Sequence, residues 1–227
     1  FINFDAAVFT KLAPEHIEAH GSFENYKKYK LKFFEYVQNN HVINKDDEYF
    51  QEFFDVPAKN KIVYSAGDYR DIKLKLWGDF NVANAAAAIK TAEIYGIKPE
   101  LAVKILENIE SLPGRMELIE GGQKFKVIVD YAHTPDSMEA VYGSLKPKLA
   151  VGARLICVFG ATGGGRDKWK RPEYGKISEK YCDEIILTNE DPYDENPEEI
   201  LNQISSGFSQ IRNPRPQRQS AAMAGGA

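Results

Sequence analysis

A chain of 227 residues, 43% hydrophobic and 27% charged, can form one large domain or two ordinary ones that each bury a core, and two is the better fit. A net charge of -4 and a pI near 5.7 exclude a general nucleic-acid binder, because the cations sit in local clusters rather than along one basic face; a small anionic ligand suits them better. No apolar stretch approaches bilayer length, and the opening FINFDAAVFT has neither a charged leader nor a cleavage site, so a cytoplasmic protein without membrane contact, entered in mid-domain, is expected.

In chain order, residues 5–10 form a short strand, and Ser22 is placed to cap a helix running to about Val37. The Ala-rich run from Asn81 to Tyr95, closed by Gly96, predicts another helix, and Pro99 starts a third. Ser111-Leu112-Pro113-Gly114 interrupts the pattern, which places a domain boundary there: 1–112, then 113–212. Beyond it, strands at 126–130, 154–159 and 184–188 alternate with helices from Thr134/Pro135, over about 172–182, and from Asn196/Pro197. Strands spaced by helix-length segments imply right-handed crossovers and a parallel, Rossmann-like α/β sheet. The tail 213–227, Pro-rich and then small and polar, is expected to be disordered.

Cys157 lies in an apolar strand run and Cys182 at a helix end, with no Cys-x-x-Cys or Cys/His spacing. A disulfide framework or zinc ribbon is therefore not expected, and a reducing compartment is.

Several motifs fall at strand ends, where sheets of this kind bind charged ligands. Asp130 ends an apolar strand and suits a ribose hydroxyl, although an acid here also suits a turn; His133 follows as a phosphate donor. Gly160-Ala-Thr-Gly-Gly-Gly165 precedes a basic run beginning at Arg166. Such a turn aims amides at an anion and Arg166 adds a carboxylate fork, the competing account being a tight turn beside a solvated basic face. Asn81 and Asn84 share one helix face and match an adenine edge, with N-capping as the alternative. His16 and His20 lack the His-Glu-x-x-His pattern, so zinc is not expected there. In the helix after Ser22, Lys30 falls on the same predicted stripe as Phe23, Tyr26 and Phe33, while Lys27, Lys28 and Lys32 fall off it. A core-facing lysine must snorkel, pair or be chemically changed.

Taken together, AVFTKLAPEHIEAHGSFENYKKYKLKFF, GDFNVANAAAAI, LPGRMELI, VIVDYAHTPDS, FGATGGGRDKWKRP and the DP-bearing turn near 191 resemble the Mur ligases, most closely the UDP-N-acetylmuramoyl-tripeptide synthetases. The resemblance spans nearly all of residues 5–210 and implies part of a P-loop-type central ATPase domain (1–112) followed by the Rossmann-like C-terminal domain (113–212). It implies an ATP- and Mg2+-dependent enzyme that phosphorylates the carboxylate of a UDP-MurNAc-dipeptide and joins a free amino acid to it, acting as a monomer. By motif matching, Lys30 is the lysine this family carbamylates to hold magnesium, with His16 beside it. Asn81 and Asn84 meet adenine, Arg115 the phosphates with His133, and Asp130 the ribose. Arg166, Asp191 and Tyr193 face the incoming amino acid.

The departures are specific. No G-x-x-x-x-G-K-[ST] occurs in the 227 residues, the span between Tyr64 and Gly78 is short for the family, and its C-terminal Gly- and Glu-bearing segment is absent. An N-terminally truncated fragment, inactive alone, is the expectation. Where diaminopimelate-adding members carry Asp-Asn-Pro-Arg, this chain has Glu190-Asp191-Pro192-Tyr193, which sets diaminopimelate in doubt as the added amino acid. The rivals are a folylpolyglutamate synthase-like ligase and a non-catalytic nucleotide or UDP-sugar binding module.

Overall fold

The computed structural model describes residues 2–209; the expected disordered tail lies outside them. In the N-terminal part, β1 (Ala6–Phe9), β2 (Asn40–Asn44) and β3 (Asn60–Tyr64) form one parallel sheet in that order. The register is Ala6 opposite Asn40 and Asn40 opposite Asn60. α1 (Ile17–His20) and α2 (Phe23–Tyr36) connect the first pair of strands, and α3 (Phe50–Asp55) the second. Ser22 caps α2, its hydroxyl accepting the Asn25 N–H at 3.1 Å. Phe9 stacks on Phe53 at 3.8 Å, and Phe34 meets that ring edge-on at 5.0 Å, so one aromatic cluster locks helices to sheet.

All five residues of β2 are buried although three are polar, and each polar side chain is bonded. Asn44 Nδ2 donates to Thr10 O, the Asn40 side chain accepts from Asn60, and His41 Nε2 lies 3.0 and 2.6 Å from the Phe34 and Val37 carbonyls that end α2. α4 (Asn81–Ile94) lays Ala86 and Ala87 against Val42 and Tyr64, and α5 (Pro99–Leu106) follows, with Pro99 in its first turn. α4 ends before Gly96, whose φ of 79° explains the glycine.

The C-terminal part contains β4 (Glu117–Ile119), β5 (Val127–Val129), α6 (Pro135–Leu145), β6 (Ile156–Phe159), α7 (Lys170–Tyr181), β7 (Glu184–Leu187) and α8 (Pro197–Ser205). Thr134 and Asn196 cap α6 and α8, with proline in each first turn as expected. The α/β class is as expected, but one pairing differs. β6 and β7 pair in parallel, whereas β5 pairs antiparallel with β4 across the short connection 120–126. So short a link suits an antiparallel partner, while a parallel one needs a long crossover. Met138, Tyr174, Ile200 and Ile204 pack α6, α7 and α8 into one core, and Met116, Val141 and Leu145 join Trp77 and Phe80 of the N-terminal part in another.

The cysteines correct a further expectation: Cys157 and Cys182 are joined as a disulfide, their Cα atoms 6.1 Å apart. Cys157 lies on β6 and Cys182 follows the end of α7, so the crossover that returns the chain to β7 brings together two residues that no local motif pairs.

Candidate active site

The loops after β6 and β7 touch backbone to backbone. A Cβ on Gly160 would stand 2.3 Å from Thr188 O, and one on Gly163 would stand 2.1 Å from Pro192 O, so both positions require glycine. Gly163 N donates to Asp191 O at 2.8 Å, and Thr162 Oγ1 to Glu190 Oε1 at 3.1 Å. Arg171 fastens the pair from below. Its guanidinium, 1% exposed, donates to both oxygens of Glu195 (2.9 and 3.1 Å), to Gln203 Oε1 (2.6 Å) and to Thr162 O (3.2 Å). The Arg171 hydrogen bonds, helped by Lys168 at 3.1 Å, hold the Glu195 carboxyl down at about 2.

Beside these loops lies a cleft of about 440 Å³, bounded by the end of β5 and, from the N-terminal part, by Glu15 and His16. Asp130 accepts the Met116 and Ala132 N–H groups, one on each oxygen at 2.8 Å. Arg115 lies 4.4 Å over the exposed Tyr131 ring, which meets the His133 ring edge-on at 5.0 Å. His133 Nε2 is 3.1 Å from Glu15 Oε1, and Lys170 Nζ is 3.7 Å from the same atom. Tyr174 donates to His133 O at 2.5 Å, and burial pushes its hydroxyl far above the usual phenol range.

The structure therefore brings His16, Asp130, His133 and Arg166 to one cleft, with Arg115 reaching its rim through Tyr131. The Lys170 side chain, only 7% exposed, joins them and escaped the sequence reading. The available signal was its position four residues after Arg166 in the run that opens α7. Asp191 takes part through its backbone carbonyl, and its side chain is exposed. Tyr193, at φ 52° and 70% exposed, lays its ring against Gly164.

Other predicted residues stand elsewhere. Asn81 is buried, its Nδ2 donating to Trp77 O at 2.7 Å and its Oδ1 accepting from Asn84 at 3.0 Å, so the pair is engaged with the fold and with each other. Lys30 is exposed, its Nζ 5.2 Å from the Tyr26 ring centroid, which corrects the premise that it faces the core. The inward lysine is Lys27, 12% exposed, paired with Glu24 and Glu52 and lying over the Tyr49 ring. The helix is turned so that Tyr26 and Phe34 are its buried residues, leaving Phe33 on the outer side. Among the described residues no cluster of three or more His, Cys, Asp or Glu is placed to hold a metal. The side chains around Lys30 and His16 thus do not by themselves supply the oxygens a hard cation needs. His16 itself sits at φ 54°, a left-handed conformation unusual for a side chain of its size.

Fold and cleft together describe an α/β protein whose strand-end loops border a cleft lined by Arg166, Lys170 and His133. Residues 1–68 match the sequence profile of the Mur ligase middle domain, and residues 114–224 that of the Mur ligase glutamate ligase domain. The chain belongs to the Mur ligase family. Among its relatives is a UDP-N-acetylmuramoyl-L-alanyl-D-glutamate--2,6-diaminopimelate ligase of Fusobacterium nucleatum, 39% identical over 91% of this chain and 47% of the relative. Another is a UDP-N-acetylmuramyl-tripeptide synthetase of Roseiflexus, 34% identical over 92% of this chain and 48% of the relative. A solved diaminopimelate ligase of the same name is 30% identical with a TM-score of 0.54, covering 91% of this chain and 48% of that one. The folylpolyglutamate synthase of Mycobacterium tuberculosis, at 18% identity, TM-score 0.70 and coverage of 91% and 53%, shares the fold. The chain spans about half the length of the curated relatives it matches.

Proposed function

We propose that this chain carries the amino-acid-accepting part of an ATP-dependent ligase that extends a UDP-MurNAc-dipeptide. In that reaction the dipeptide carboxylate takes the terminal phosphoryl group of ATP, releasing ADP. The amine of a free amino acid then attacks the acyl phosphate, forming the amide and releasing phosphate. The observation that carries the reading is the convergence of Asp130, His133, Arg166 and Lys170 with Glu15 and His16 in one cleft of a chain of this family. Residues 1–112 and 113–212 are its central and C-terminal domains on this reading. It works as a monomer in the cytoplasm; among the described residues no helix is long and apolar enough to cross a membrane.

Within the cleft, Asp130 keeps a free lone pair on each oxygen for ribose hydroxyls, and Arg115 with His133 faces the phosphates. Arg166 offers a planar fork to the carboxylate of the incoming amino acid, with Asp191 and Tyr193 beside it. Asn81 and Asn84 support the adenine side; in the complete enzyme a carbamylated Lys30, gaining the oxygens that its unmodified surroundings lack, would hold magnesium with His16 beside it. Tyr193 stands where diaminopimelate-adding members place arginine, so an amino acid without a second carboxylate to pair is the favoured substrate.

The test is ligation by a full-length enzyme containing these residues, with amino acids offered singly. Arg166→Ala should raise the KM for the amino acid well beyond that for ATP, because only the former loses a charge-assisted pair contributing roughly 1.5–3 kcal/mol. Equal changes in both constants, or no ligation of any amino acid by the unaltered enzyme, would overturn the reading.

A further inference from the structure

The N- and C-terminal parts exchange carboxylates at one edge of the cleft. Asp167 accepts the N–H groups of Ile17 (3.2 Å) and Glu18 (3.0 Å), while Glu18 accepts the N–H of Lys168 at 2.7 Å. α1 has no cap of its own, since its N-cap His16 makes no side-chain hydrogen bond. The donors that a helical turn leaves open are instead met by an acid about 150 residues away in the chain. Asp167 is 6% exposed, so its bonds are shielded from competing water.

The position of this exchange gives it meaning. Asp167 directly follows Arg166, and Glu18 lies two residues beyond His16. Making both bonds therefore ties the backbone of 15–18 to that of 166–168. It seats Glu15 opposite His133 and Lys170, and Lys11 against Asp136 at 2.5 Å. We infer that the Asp167–Glu18 exchange is the catch that closes the cleft. Asp167 is then a positioning residue, which brings His16 and Glu15 to Arg166 and Lys170 without itself touching a ligand. The activity arm of this inference rests on the function proposed above; the structural arm does not.

The experiment compares the unaltered chain with Asp167→Asn and Glu18→Gln, each of which preserves size while weakening the acceptor. Amide hydrogen exchange is read at Ile17, Glu18 and Lys168. The distance between the two parts is read from spin labels at Glu35→Cys and Glu198→Cys, attached under non-reducing conditions that keep the Cys157–Cys182 bridge. Asp167→Asn should cost the Ile17 and Glu18 amides about tenfold or more in protection, and Glu18→Gln the same at Lys168, as expected for a lost charge-assisted bond. Both should move the label distances to a longer, broader distribution. In the full-length ligase, Asp167→Asn should lower kcat about tenfold or more and leave the KM for ATP within about twofold, and Asp167→Glu should recover part of the loss. Lost protection with an unchanged label distance, or an unchanged kcat, overturns the inference, since either leaves only a local cap. If Asp167→Asn fails to fold, Glu18→Gln, at an exposed residue, decides the matter through the same distance measurement. Failure of the unaltered full-length enzyme to ligate would defeat the proposed function alone, with the exchange and distance data still judging the catch.

Discussion

The run Arg166–Arg171 beside the paired loops and the outer face of α2 are both rich in cations, yet they are built on opposite terms. In the first, buried Arg171, whose two terminal nitrogens bond carboxylate, amide and carbonyl partners, determines where an exposed arginine, Arg166, stands. On α2, Lys30 and Lys32 rest over Tyr26 and Tyr29 at 5.2 and 5.0 Å and are exposed. Cation–π contacts of that kind contribute about 0.5–1 kcal/mol at exposed sites. The basic character of a segment thus says little about its rigidity; what matters is how many of its cations have left water.

That contrast is sharpest in stability. Arg171→Met should destabilise the chain by about 3–5 kcal/mol in chemical denaturation, because it takes from the Glu195 carboxylate its two-pronged partner and leaves only the exposed Lys168 beside it. A loss under 1 kcal/mol would mean the loops hold without it. Gly163→Ala should cost about 1–3 kcal/mol, since the new methyl lands on the Pro192 carbonyl and must part the loops; unchanged stability would show that they part freely.

The acid limb gives a graded test of the same pair. A carboxyl whose folded value lies at about 2, below the usual 4.5, stabilises the fold fully above pH 4.5 and loses that contribution as pH falls toward 2. Denaturation midpoints should therefore fall between those values in the unaltered chain, and Glu195→Gln should remove this part of the slope. If both chains lose stability alike, the buried pair is not its source. The smallest effect belongs to α2, where Lys30→Ala should change stability by at most about 0.5–1 kcal/mol. In the full-length ligase the same substitution should abolish ligation, with added short-chain carboxylic acids restoring part of it. Near-normal ligation would break the metal-side role.

Local chemistry made much of the fold legible: Ser22, Thr134-Pro135, Asn196-Pro197 and Gly96 each mark a helix end through bonds made within a few residues. β2 was illegible because Asn-His-Val-Ile-Asn is polar by composition, and its burial is stabilised by partners drawn from Thr10 just after β1, from β3 and from α2. The phase of α2 was misread through Phe33, which looks like core in a periodic count but lies outside, edge-on to Phe4 at 5.3 Å. In the cleft, Asp130, His133 and Arg166 were visible because strand ends announce themselves. Lys170 was not, since its burial depends on Glu15 from a distant segment. Asn81 and Asn84 suited an adenine edge in isolation, but their amides bond first to Trp77 O and to each other.

The bridge between Cys157 and Cys182 has a mechanical consequence. With a sequence separation of 25, it places the glycine turn, the whole basic run and all of α7 inside one covalent ring. Force applied to the two ends of the oxidised chain passes through the sulfurs and bypasses that ring, so the unravelled polypeptide comes out shorter than the reduced one by roughly 80 Å, at about 3.3 Å per residue. Stretched from its ends, the oxidised protein surrenders its sheets and outer helices while the segment that carries Arg166 and Arg171 bears no tension at all.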